Sequence, residues 1–125
     1  MKLLRLQVKE ASFFPLHKFM VERQVFLRMA IWESYCNALH EAMSQGCVCI
    51  VSKDTASEEL IKDGINGFSV PEFNAAAVAS KISYIIDPKN KAQIDTMRQR
   101  NIAFTKGHSW QEISAQVEKF YTDII

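Results

Sequence analysis

The chain lacks a charge surplus, a long apolar run and an even set of cysteines, and each lack closes off a class of protein. Fifteen Lys and Arg stand against fourteen Asp and Glu, for a net charge of +1 with 23% of residues charged. That balance gives no basic footprint for binding nucleic acid. No apolar run approaches the roughly 18–20 residues of a membrane span, so no transmembrane segment is expected. The opening Met-Lys-Leu-Leu-Arg-Leu-Gln has a basic residue, but Arg5 and Gln7 break its apolar run, and it makes a poor signal peptide. Three cysteines is an odd number, and reduced thiols in a cytoplasmic setting are the plain reading. Cys47 and Cys49, two apart in an apolar run, are expected on opposite faces of a strand, which would bar them from sharing a metal.

What is present is enough for one small domain: 125 residues, 48% of them hydrophobic. Its organising stretch is residues 33–46, Glu-Ser-Tyr-Cys-Asn-Ala-Leu-His-Glu-Ala-Met-Ser-Gln-Gly, where seven residues separate Glu33 from Glu41. Before it, Val25-Phe26-Leu27-Arg28-Met29-Ala30-Ile31 has the length and composition of a buried strand. Within it, Ala38, Leu39, Ala42 and Met43 recur at helical spacing, and Gly46 sits where a helix C-cap glycine would. After it, Cys47-Val48-Cys49-Ile50-Val51 reads as a second buried strand. The order is strand, loop with Glu33, helix with Glu41, strand.

In an open parallel sheet, ligands bind outside the carboxyl ends of the strands, where a helix N-terminus offers free N–H groups. Glu33 would lie in the loop at that edge. Asn37 can cap the helix, with Glu41 about one turn inside it. Carboxylates cannot hold a phosphate, but they can accept hydrogen bonds from sugar hydroxyls on either side of one. The stretch therefore reads as a site for a sugar–diphosphate–sugar.

The remaining pattern alternates in the same way. Leu4, Leu6 and Val8 suggest a short strand, and residues 16–24 a short helix with Phe19 and Met20 inward and His17 facing solvent. Thr55 and Glu58 have capping-box spacing, predicting a helix from Ala56 to about Lys62 that stops at Gly64. Asn66-Gly67 is turn chemistry before a short strand over Phe68-Ser69-Val70. Val78, Ile82, Ile85 and Ile86 mark the inner face of a helix from about Asn74. Asp87-Pro88 caps and starts a long polar helix to about Phe104. Ser109 and Glu112 form a further capping box, and Trp110, Ile113, Val117, Phe120 and Ile124 make a stripe expected in the core.

Residues 33–46 resemble the signature of the retaining GT-B glycosyltransferases of the "group 1" family. Its usual form is Glu-Gly-Phe-Gly or Glu-Gly-Phe-Pro-Asn, an apolar pair, then Glu-Ala-Met-Ala-x-Gly. Gly46-Cys47-Val48-Cys49-Ile50 stands where Gly-x-Pro-Val-Ile is common in that family. Residues 59–68 resemble its Glu-Ile-Ile-x-Asp-Gly-x-Asn-Gly-Leu, and His108-Ser109-Trp110 its Phe-Ser-Trp. The resemblance runs over residues 25–125, while 1–24 match poorly. It implies an α/β, Rossmann-like partial domain of a GT-B fold, with a small parallel sheet of three to four strands flanked by helices. This would be the C-terminal, nucleotide-sugar-binding domain, incomplete.

The resemblance also implies roles. Glu33 would orient hydroxyls of the donor sugar rather than act as a nucleophile. Ser34, Tyr35 and Cys36 replace the usual Gly, Phe and Gly or Pro, and would offer backbone N–H groups to the diphosphate beside Asn37. Glu41 would accept hydrogen bonds from the nucleotide ribose. A solvated loop residue is the bland reading of Glu33, and a helix-dipole partner that of Glu41. His40 is favoured as a packing residue, and Glu59 fits a surface position equally well. Thr55 and Ala56 stand where the family carries glycines, and neither Lys53 nor Arg28 stands where its diphosphate-binding cation does. The implied reaction is transfer of a sugar from a nucleoside diphosphate sugar to a hydroxyl acceptor with retention, with no cofactor and no metal. A missing N-terminal domain or a homodimer would complete the cleft. The implied location is cytoplasmic, with peripheral membrane attachment open for the full enzyme. Two other readings remain: a shortened, catalytically inactive binding or assembly module, and a nucleotide-sugar epimerase of similar fold.

Overall fold

A computed structural model of the chain describes residues 24–125. At its centre is β2, Val48–Ser52, with all five residues buried. Its Val and Ile side chains suit a strand covered on both faces. β1, Val25–Arg28, and β3, Gly67–Val70, pair with it in parallel on either side, in the order β1-β2-β3. The register sets Phe26 beside Cys49 and Ile50 beside Phe68. Sheet and helices thus form the expected small α/β unit with three parallel strands.

Alternation along β2 divides the core. Cys47, Cys49 and Val51 face Leu39, Ala42 and Met43 of α1, Asn37–Ser44. Val48 and Ile50 face the other way, toward Phe68, Val70, Ile85, Ile94 and Met97. Burying each of the large side chains contributes about 1.5–3 kcal/mol, so this sandwich around β2 is where stability concentrates. The two cysteines therefore share one face of the strand, contrary to the expectation above, because residues two apart in a strand point the same way. Burial pushes both thiols upward from their usual titration range.

α1 ends as its sequence predicts. Gly46 has φ +74°, its N–H donates to the Met43 carbonyl at 3.0 Å, and the Cys47 N–H donates to the Ala42 carbonyl at 3.0 Å. This is a Schellman closure, and it turns the chain directly into β2.

Beyond β2 a single helical turn, α2, Ser57–Leu60, replaces the longer helix expected to reach Lys62. Thr55 does not cap it: its hydroxyl donates back to the Ser52 carbonyl, while Glu58 accepts from the Asp54 N–H at 2.9 Å. Asn66 ends the turn early by accepting from the Lys62 N–H at 2.7 Å and donating to the Leu60 carbonyl at 2.9 Å. After β3 come α3, Ala75–Ile86, a 3-10 turn, Pro88–Asn90, α4, Lys91–Lys106, and α5, Trp110–Ile124. Asp87 and Ser109 cap through their side chains as expected, and Asn74 caps α3 in the same way.

Three apolar expectations fail at the periphery. β1 stops at Arg28 rather than Ile31 and is only half-buried, because among the described residues it has a strand neighbour on one side only. Ile86 lies on the outer face of α3 and is exposed. The α5 stripe is not core: Trp110 is 82% and Phe120 63% exposed, and the helix has no buried residue. Of the stripe only Ile113 is half-buried, and Trp110, Val117, Phe120 and Ile124 are exposed. No described helix is long and apolar enough to cross a membrane. The strand suggested at residues 4–8 and the helix at 16–24 with His17, Phe19 and Met20 fall outside the described residues, Gln24 apart.

Candidate functional site

The loop between β1 and α1, residues 29–36, runs over the carboxyl ends of β1 and β2. It is fastened there by backbone and buried polar contacts. The Ala30 N–H donates to the hydroxyl of Ser52, the buried last residue of β2, at 2.8 Å. The Glu33 carbonyl accepts from the Ala56 N–H at 3.4 Å. This is the edge at which open α/β sheets take ligands.

Glu33 is held by its side chain as well. Arg28, the last residue of β1, donates to Glu33 Oε2 through Nε at 3.0 Å, and a terminal guanidinium nitrogen stands 2.9 Å from the same oxygen. The Glu33 side chain is 13% exposed and that of Arg28 47%. The bond to Glu33 raises the Arg28 guanidinium further above its already high range. The sequence reading did not find this partnership. Its trace there is a lone cation closing an otherwise apolar strand, five residues ahead of the glutamate.

The other candidates separate into exposed and buried. Ser34 and Tyr35 are exposed on the loop, whereas Cys36 is buried among the α1 side chains of the core. Cys36 is the N-cap of α1, not Asn37, and no side chain caps the helix. Asn37 is the first helical residue and exposed, one position too late for its side chain to cap. The Leu39 and His40 N–H groups bond to the Cys36 carbonyl at 3.0 and 3.2 Å. Those of Asn37 and Ala38 have no acceptor among the described residues.

Glu41 is the fifth residue of α1, beyond the first turn, and is exposed. The helix dipole acts within that turn, so a dipole role for Glu41 loses its support. No cation meets its carboxylate among the described residues. Next to it, His40 is half-buried and its Nε2 has no partner among the described residues. Burial, reinforced by His108, lowers its affinity for a proton, with Glu41 opposing. A neutral packing histidine fits that setting.

Residues 63–67, Asp-Gly-Ile-Asn-Gly, hold the fold rather than the site. Asp63 Oδ1 accepts from the Ser69 N–H at 3.0 Å, and Asn66 locks α2 as described. Asn101, fully buried on α4, donates through Nδ2 to the carbonyls of Cys47 and Asn66, at 3.0 and 2.9 Å. Glu59 is exposed on the α2 surface.

The sheet, its crossing helices and a ligand-edge loop define a Rossmann-like α/β unit of the GT-B kind. The chain belongs to the family described as glycosyl transferases group 1, whose model matches residues 4–104. That match begins upstream of Val25 and ends before α5. Among characterised proteins, it is similar to the lipopolysaccharide 1,2-N-acetylglucosaminetransferase of Salmonella typhimurium, 25% identical over 96 residues, or 76% of this chain and 25% of the relative. Its fold matches that of Anabaena HepE in complex with UDP-glucose, with a TM-score of 0.74 at 17% identity over 86% of this chain and 30% of that one. Sucrose-phosphate synthase from Thermosynechococcus elongatus matches at a TM-score of 0.74 and 20% identity, over 85% and 26% of the two chains. The chain thus spans between a quarter and a third of the length of these relatives.

Proposed function

We propose that this chain forms part of the donor site of a glycosyltransferase that moves a sugar from a nucleoside diphosphate sugar to a hydroxyl acceptor with retention. The observation that carries the reading is the placement of Glu33 and the uncapped start of α1 together at the carboxyl edge of a parallel sheet, in a chain of this family. The HepE protein of similar fold was solved with UDP-glucose, which supports a nucleotide sugar as the ligand class.

In this reading, Glu33 orients hydroxyls of the transferred sugar, with its Oε1 left open by Arg28. The amides at the start of α1, beside Ser34, Tyr35 and Cys36, face the diphosphate, and Glu41 accepts from the ribose hydroxyls. Front-face displacement, with the donor phosphate taking the acceptor proton, needs no cofactor or metal. The acceptor wall comes from an N-terminal domain or a second copy of the chain.

Calorimetric titration with UDP and GDP tests the nucleotide half. Glu41→Ala is expected to weaken binding by ~1.5–3 kcal/mol, the worth of charge-assisted bonds, and Glu41→Gln by less. Equal affinities in wild type and Glu41→Ala would remove Glu41 from the site.

The second reading, an inactive binding or assembly module, has its own observation: the open apolar face of α5, with Trp110 82% and Phe120 63% exposed. Side chains at Ser34, where the family has glycine, and at Cys36, where it has glycine or proline, favour it as well. Nucleotide binding without sugar transfer in the presence of an acceptor-binding domain would select it.

A further inference from the structure

We propose that Arg28 is a positioning residue for Glu33, fixing which carboxylate oxygen meets the sugar; the inference rests on the donor-site reading above. The geometry is one-sided. Two guanidinium nitrogens, Nε at 3.0 Å and a terminal nitrogen at 2.9 Å, converge on Oε2 alone. Oε1 meets no donor among the described residues and keeps its lone pairs for a hydroxyl.

The loop makes such a device necessary. A glutamate on an eight-residue connection has three side-chain torsions to hold, and the backbone ties at Ala30 and Glu33 fix only the chain. Arg28 is anchored independently, because it ends β1 in register with Val51 of the central strand. The sheet's rigidity is thereby passed to the carboxylate through a planar donor group that holds its direction. A half-exposed ion pair contributes little to stability, so its main effect falls on the orientation of Glu33. An apolar residue at position 28 would leave Glu33 to be oriented by its ligand alone, at an entropic cost on every binding event.

NMR titration of the 125-residue chain with UDP-glucose and with UDP separates the possibilities. Arg28→Ala is expected to weaken UDP-glucose binding about fivefold to tenfold, the entropic cost of immobilising one carboxylate side chain on binding, while UDP binding stays within about twofold. Arg28→Lys, which still pairs with Glu33, should recover part of the loss. In a Glu33→Gln background, Arg28→Ala should add nothing further. Equal losses for UDP and UDP-glucose would overturn the proposal, because the guanidinium would then act on the phosphates or the fold. Additive losses with Glu33→Gln, or unchanged UDP-glucose binding in Arg28→Ala, would overturn it too. Failure of the wild-type chain to bind either nucleotide would instead remove the donor site itself, and the role of Arg28 with it.

Discussion

Gly67 lies against the backbone of Cys49 across the β2–β3 pair, so that a Cβ placed on it would stand 2.6 Å from the Cys49 carbonyl oxygen and 2.9 Å from the Ile61 side chain. Neither neighbour can give way, since one is the backbone of the central strand and the other is buried. Gly67→Ala is therefore expected to destabilise the domain by about 1–3 kcal/mol through overpacking. Urea unfolding checks it. An unchanged midpoint would mean that β3 can shift along β2 without loss.

Asn101 carries the second prediction. Its Nδ2 bridges the Cys47 and Asn66 carbonyls, tying the start of β2 to the turn before β3 from a fully buried position on α4. Asn101→Ala should cost about 1–3 kcal/mol, because both carbonyls lose a donor. Asn101→Asp should cost more, since it sets a second acceptor against the same carbonyls. Unfolding midpoints of the two variants, taken together, test the order.

How far the sequence reaches is clear from where it fails. Runs of Val, Ile and Cys at 47–51, the glycine at 46 and the caps at Asp87 and Ser109 were legible because local chemistry alone decides them. The α1 cap was not. Cys36 takes that position because its side chain packs beneath the helix, a tertiary fact that outweighs the capping propensity of Asn37. Thr55 and Glu58 had the right spacing for a capping box, yet each found a different backbone partner in the loop. The α5 stripe has the periodicity of a core helix, but periodicity states that a face is apolar and not what covers it. Of the candidate site, the Glu33–Glu41 pair stood out in the sequence by its spacing, whereas Arg28 acquires meaning only when the loop folds back to bring Glu33 to its guanidinium.

The His40 environment predicts a pH dependence. Burial lowers its proton affinity in the folded state below the unfolded value of 6.5. The unfolded chain then binds more protons in this window, so stability contributed by neutral His40 is complete above that value and declines as pH falls below it. The urea midpoint should drop between about pH 7.5 and about pH 5.5, and the drop should shrink in His40→Gln. A wild-type midpoint flat across that interval would mean that His40 protonates in place without disturbing α1.

The last prediction is that the chain by itself binds a nucleotide sugar weakly and does not transfer the sugar. Transfer requires donor and acceptor to be held together with water excluded. Here the candidate site lies at an open sheet edge with Ser34, Tyr35, Asn37 and Glu41 exposed. The chain also spans only 25–30% of the length of relatives such as the Salmonella transferase and HepE. If one wall of the cleft is supplied from elsewhere, as proposed, affinity for UDP-glucose should lie in the ~millimolar range. Incubation of the purified chain with UDP-glucose and simple hydroxyl acceptors, with a coupled assay for released UDP, should show no turnover above the uncatalysed background. Glu33→Gln serves as the control, because any release that persists in it does not come from this site. Sustained release in wild type that is lost in Glu33→Gln would show that these 125 residues close a working cleft by themselves.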